Sequence, residues 1–322
     1  MAKTKVRYGN LLTGMARTTV GNSFRNDSAN LKVDWGFKFL FGREETKDLL
    51  MGFLNLLLKP DVPLTEITYL NPEVIPEQPQ MKRCVFDVLC KDANGERYLI
   101  EMQKAWRQDM GNRLVYYLCR LIDRMGRHSV TWDYAMIKRV YAICIMDFTY
   151  EEHPQLRHDI MLRNRDGSPY SDLLNIITLQ IPCIHAKTLS ESTESYEILL
   201  NLLRQISKKM KTKEDLLQEI DGLTHLHEET KEMLRRMVTT MNHEMTPTQL
   251  SEYMADLDQY EATMNEVATA RQMGEKKGYE KGLEKGLEKG RLDIARAMKD
   301  DRAEVALISR YTGLTPDEIE AL

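Results

Sequence analysis

The segment from 84 to 104 constrains this chain more tightly than any other. Cys84 to Lys91 and Arg97 to Lys104 each alternate in character, and Asp92-Ala-Asn-Gly-Glu96 lies between them. Side chains of a strand point to opposite faces in turn. Phe86, Val88 and Cys90 therefore share one face of the first stretch, and Tyr98, Ile100 and Met102 share one face of the second. The other faces carry Val85, Asp87 and Leu89, and Leu99, Glu101 and Gln103. Register decides which of these meet. A two-residue Asn-Gly turn sets Asp87 opposite Met102 and mixes an acid with core residues. A three-residue loop, Ala93-Asn94-Gly95, sets Asp87 opposite Glu101, keeps the apolar face whole, and gives Gly95 the left-handed position of a bulged turn. A one-residue slip turns a strand's whole apolar set to the wrong side, so burial selects the matched register.

In that register Asp87 and Glu101 are cross-strand neighbours with Cβ atoms roughly 5 Å apart. Like charges directly opposite destabilise a sheet, and Val85, Leu89 and Leu99 around them make desolvation costly. A divalent cation relieves both costs. Carboxylates with waters and a phosphate oxygen form a hard-oxygen set suited to Mg²⁺, and Mn²⁺ fits the same donors. Such an ion lowers the pKa of a bound water and stabilises charge on a scissile phosphate. The competing interpretation is a half-exposed hairpin whose polar face meets solvent. The pattern Asp-x13-Glu-x-Gln does not by itself decide between the two.

The rest of the chain supplies a frame for this hairpin. At 322 residues with 42% apolar content, the chain suits one large domain, or a core with appendages. No apolar run reaches 18 residues, so no membrane span is expected, and the first twenty residues lack the apolar stretch of a secretory signal. Five cysteines with no CxxC pair read as reduced thiols of a cytoplasmic protein. A zinc site is disfavoured, since His225 and His227 have no cysteine nearby. The net charge of −4 is not that of a protein coated for nucleic acid, so any DNA contact needs a local patch. Between Gln103 and Arg165 there are 11 Lys/Arg against 7 Asp/Glu, including Arg107, Arg113, Arg120, Arg124 and Arg127. A solvated helix face explains this excess equally well.

Periodicity predicts a helix over about 44–58, ended by Lys59-Pro60, then a short strand over 65–70. Beyond the hairpin it predicts an amphipathic helix over about 108–127, a central strand over 138–148, and strands over 157–163 and 173–181 around the turn Asp166-Gly-Ser-Pro169. From 190 to 270 the pattern is helical, with breaks near Gly222 and Thr246-Pro247. Gly274, Gly278, Gly282, Gly286 and Gly290 then recur every four residues. Glu and Lys fill the spacing, which excludes a membrane role for this GxxxG pattern. In a helix these glycines drift by about 40° per repeat, and each costs roughly 1 kcal/mol of propensity. The segment is either a marginal helical linker or a self-association element that joins copies of the chain into a homo-oligomer. Two short helices are predicted after it, with Gly313 as a C-cap and Thr315-Pro316 opening the second. That end is more acidic than basic, which favours a small packing unit over a base-reading helix.

Three stretches resemble the PD-(D/E)XK nuclease superfamily and, within it, the bacterial recombination-promoting nucleases, a group also labelled transposases. Asp34-x-x-Phe37-Lys38 with Phe41-Gly42 is similar to the opening motif; Phe86-Asp87-Val88-Leu89 is similar to the strand of the first acid; Ile100-Glu101-Met102-Gln103 is similar to the second strand. The resemblance implies an α/β, restriction-endonuclease-like mixed sheet flanked by helices, with a helical C-terminal half. It implies Mg²⁺-dependent phosphodiester hydrolysis in DNA, with Asp87 and Glu101 as metal ligands and Gln103 where many members carry lysine. Asp34 would add an outer carboxylate, or simply N-cap its helix. Lys38 would meet phosphate, or be a solvated helix residue; Lys104, Arg107 and Arg113 are further candidates for DNA contact. Gln103 can orient a water by hydrogen bonding but supplies no positive charge. The expected division is a poorly ordered start (1–30), a nuclease-like core (31–189), a helical region (190–270), a Gly-periodic helical linker (271–291) and a short helical unit (292–322). Two alternatives stay open: a non-catalytic module that keeps this fold and binds DNA or protein, and a transposase that carries out strand transfer.

Overall fold

The computed structural model describes residues 6–7, 34–74, 84–125, 133–150, 153–208, 210–242 and 245–322. Apart from Val6–Arg7, which pairs antiparallel with Thr149–Tyr150, the expectation of disorder over residues 1–30 falls outside them.

A six-stranded mixed sheet organises the first part of the chain. Its strands are β1 (Ile67–Tyr69), β2 (Val88–Asp92), β3 (Arg97–Gln103), β4 (Val140–Met146), β5 (Arg157–Arg163) and β6 (Pro169–Gln180), and their spatial order is β1-β2-β3-β4-β6-β5. β4 runs parallel to both β3 and β6, and the outer pairs are antiparallel. The parallel centre explains the unbroken apolar run of β4: a strand covered on both faces has no need to alternate.

On one face lie helices α1 (Asp34–Phe41) and α2 (Lys47–Leu58), the latter closed by Lys59 in the left-handed region. They share a core with Val88, Cys90, Tyr98, Ile100 and Met102 of the hairpin. The other face is covered by α3 (Met110–Asp123), which joins β3 to β4 as a parallel connection requires. Its Met110, Leu114, Leu118 and Leu121 pack on Leu89, Leu99 and Cys144.

The hairpin turn follows the three-residue prediction. Gly95 has φ +83°, and the Asp92 carboxylate accepts from the N–H groups of Asn94 and Glu96 at 3.0 and 2.8 Å. The pairs Val88↔Ile100, Leu89↔Leu99 and Cys90↔Tyr98 keep the register that aligns Asp87 with Glu101. One prediction fails here. Cys84 to Lys91 is not one strand: Cys84–Val85 pairs with Glu73–Val74 in a separate ribbon, and the chain bends at Phe86 and Asp87. The Phe86 N–H goes to the Pro72 carbonyl at 2.9 Å. Phe86 consequently joins the core under α3, not the face of Val88 and Cys90 on which alternation placed it.

Beyond the sheet come α4 (Ser195–Ser207), α5 (Lys213–Asp221), α6 (Glu228–Met241) and α7 (Pro247–Asp300). Leu199, Leu203, Met237 and Val238 belong to the same core as α1, α2 and the sheet. Contacts divide the chain into two compact units, residues 1–260 and 261–322. In the second unit, α8 (Val305–Thr312) ends at Gly313 with φ +70°, and α9 (Pro316–Glu320) opens with a capping box between Thr315 and Glu318. Ala295, Ile308, Leu314 and Ile319 form its small core. The five periodic glycines lie within α7, and a Cβ built on any of them meets nothing within 4 Å. No described helix is long and apolar enough to cross a membrane.

Candidate active site

Glu101 sits inside β3, on the face that α3 covers, and is only 3% exposed. Burying a carboxylate this deeply is expensive unless partners or a cation offset it. Its partners are few. Oε2 accepts from Gln103 Nε2 at 2.9 Å and lies 3.5 Å from Arg113 Nη2. Oε1 is buried without any hydrogen-bond partner. Burial therefore pushes the Glu101 carboxyl up, to about 8, and the charge of Asp87 pushes the same way, while Arg113, the Gln103 amide and the Asp87 backbone N–H act against them.

The bend at Phe86 and Asp87 brings the second carboxylate to this place. Asp87 Oδ2 accepts the Met102 N–H at 2.8 Å, so the side chain continues the ladder where the backbone of β2 has left it. Half-buried Asp87 is close enough to raise the pKa of Glu101 and to favour the charge on Arg113.

Arg113 reaches the pair from the first turns of α3. Its Nε donates to the Tyr117 hydroxyl at 2.5 Å, one helical turn on, and its guanidinium lies 5.1 Å from the Tyr117 ring centroid. Tyr117 packs edge-on against Phe86, with centroids 4.9 Å apart. Burial works against the Arg113 charge, but Glu101, Tyr117 and Asp87 together outweigh it and its pKa is raised. Beside Glu101 on the neighbouring strand lies its register partner Cys144, whose thiol is pushed up by burial first and by Glu101 second.

Asp87, Glu101, Gln103 and Arg113 thus come together, whereas Lys104 and Arg107 turn to other partners. Lys104 points the other way, as alternation requires, with Nζ 5.7 Å from the Tyr260 ring centroid. Arg107 is exposed and paired with Asp109 at 3.1 Å. Lys38 is exposed on α1. Asp34 opens α1, but its side chain lies outside the described residues, and so does its suggested ligand role.

Two features escaped the sequence. The competing interpretation of a polar face open to solvent fails for Glu101, because α3 closes over it. Asp147, next after β4, is also a buried carboxylate, and its N–H donates to the Gln103 carbonyl at 3.0 Å. Its charge helps to raise the pKa of Tyr260, after burial.

No cluster of three or more His, Cys, Asp or Glu suited to a metal occurs among the described residues. Two carboxylates still fit Mg²⁺, which keeps several waters and takes its remaining ligands from substrate phosphate. The orphaned Oε1 of Glu101 is a donor such an ion would satisfy. No curated protein and no solved structure matches the chain. A model of the family described as PD-(D/E)XK nuclease family transposase matches residues 31–270, a span that holds the whole sheet, α1 to α6 and all four converging residues. With well over half of its length so matched, the chain belongs to the PD-(D/E)XK nuclease family transposases.

Proposed function

We propose that the chain is a divalent-metal-dependent DNA endonuclease that hydrolyses phosphodiester bonds, with Mg²⁺ as its ion and Mn²⁺ as a working substitute. The observation that carries this proposal is the orphaned, buried Glu101 Oε1 beside Asp87. A carboxylate oxygen left unsatisfied in a core is destabilising, and such groups persist where a ligand completes them. Asp87 and Glu101 would hold the ion. When bound, it would acidify a water and neutralise charge developing on the phosphate.

The chain's own residues divide the remaining work. The Met102 N–H fixes the Asp87 carboxylate, which lowers the cost of organising the site. Gln103 holds Glu101 Oε2 through its amide N–H, which leaves its carbonyl oxygen as an acceptor to orient the attacking water. Lys38, Lys104 and Arg107 are proposed to contact the DNA backbone, where positive charge positions the duplex without reading its sequence. Strand breaks made this way would promote recombination.

Plasmid nicking tests the proposal. Wild type is expected to nick supercoiled plasmid in Mg²⁺ and to stop in EDTA, and Asp87→Ala and Glu101→Ala are expected to stop in either condition. Equal nicking by all three proteins would remove this pair from catalysis. The family's description as transposases favours strand transfer as a second possibility. Joined donor–target products would establish that reaction, since hydrolysis alone gives only breaks.

A further inference from the structure

Gln103 leaves a charge problem in this site. Two carboxylates converge, and the side chain two residues after Glu101 is neutral. Among the described residues Arg113 is the cation that approaches them, and its geometry differs from that of a residue locked in an ion pair. Its Nη2 lies 3.5 Å from Glu101 Oε2, beyond the 2.7–2.9 Å of a charge-assisted hydrogen bond. Its firm anchor is elsewhere: Nε donates to Tyr117 at 2.5 Å, and Tyr117 is itself packed against Phe86, the residue before Asp87. That anchor holds the Nε of the planar guanidinium and leaves Nη2 on the side of Glu101. The side chain is 30% exposed, so the site's cation also meets solvent.

We infer that Arg113 supplies from α3 the positive charge that Gln103 lacks, contacting the phosphate at the cleaved linkage while Tyr117 holds it in place. A fork of N–H donors suits two phosphate oxygens, whereas a lysine offers a point charge. The long contact with Glu101 makes the exchange inexpensive, since little is lost when the fork turns to DNA. This rests on the endonuclease proposal and adds to it a residue that touches substrate.

The experiment compares wild type, Arg113→Ala, Arg113→Lys and Glu101→Gln in two assays: plasmid nicking in saturating Mg²⁺, and Mn²⁺ binding by calorimetry without DNA. Arg113→Ala should lose about 100-fold in nicking, the scale of removing one donor to transition-state charge. Arg113→Lys should recover part of that loss. Mn²⁺ affinity in Arg113→Ala should be unchanged or tighter, because a competing cation has left Glu101. A merely structural role predicts the reverse, weaker Mn²⁺ binding in step with lost nicking, and that result overturns the inference. Nicking by Arg113→Ala within about threefold of wild type overturns it as well. If Glu101→Gln is inactive while Arg113→Ala is active, only the role of Arg113 falls. If Glu101→Gln nicks like wild type, the endonuclease proposal falls and takes the inference with it.

Discussion

The two faces of β3 come from alternate residues of one seven-residue strand and are both largely buried, yet they serve opposite ends. Tyr98, Ile100 and Met102 enter the large core with α1, α2, α4 and α6, and apolar packing satisfies them. Leu99, Glu101 and Gln103 lie on the α3 side, where a carboxylate keeps one oxygen with no partner. Burial alone does not distinguish the faces, because Ile100 is 0% and Glu101 3% exposed. The difference is whether the buried group is satisfied. A face that costs stability in the metal-free protein is the one to examine for chemistry.

Substitutions on the two faces should therefore separate activity from stability. The largest effect is expected from Asp87→Ala and Glu101→Ala on nicking in Mg²⁺. Losing metal stabilisation worth several kcal/mol corresponds to roughly 10³-fold or more. On the opposite face, Ile100→Ala should lower unfolding free energy by about 2–5 kcal/mol, read from the denaturant midpoint. Its nicking per folded molecule should stay close to wild type. A nicking loss in Ile100→Ala as large as that in Glu101→Ala would erase the distinction.

A third test uses protons. The Glu101 carboxyl rises from an ordinary 4.5 to about 8 in the folded chain, chiefly through burial. The folded state thus binds this proton more tightly than the unfolded state does. The stability it contributes is complete below about 4.5 and is lost as pH rises through about 8. In EDTA, the wild-type melting temperature should fall across that window, and Glu101→Gln should flatten the fall and melt higher near pH 8. A wild-type curve that rises over the same window would contradict the assignment of cost to Glu101. The smallest effect is expected from Tyr98→Phe. Its hydroxyl donates to Glu96 at 3.2 Å near the turn end of the hairpin, so its loss should cost about 1 kcal/mol or less and leave nicking unchanged.

The sequence carried the hairpin register, because Gly95 and the alternation of Val88, Cys90, Ile100 and Met102 agree on one answer. It carried the terminal helices for a similar reason: Gly313 and Thr315-Pro316 are local signals that act through their own backbone. It did not carry the break at Phe86 and Asp87. That bend depends on the Pro72 carbonyl and the Met102 N–H, partners 14 and 15 residues away, which no local pattern encodes. The lid over Glu101 was hidden likewise: α3 was legible as an amphipathic helix, but the face it would cover was not. Arg113 was visible as one cation in a basic stretch and as a candidate for DNA contact, but not as a partner of the two acids. The spacing of Arg113 and Tyr117, one turn apart on the helix following the second acid, is the signal that marks it.

The central claim is that Asp87 and Glu101 jointly hold a divalent ion. Crystals soaked in Mn²⁺ and measured at the manganese absorption edge test it most directly. The account predicts an anomalous peak within coordinating distance of both carboxylates, including Glu101 Oε1, and its absence in Glu101→Gln. A fully soaked crystal with no peak between them, or with a peak that survives Glu101→Gln unchanged, would contradict it.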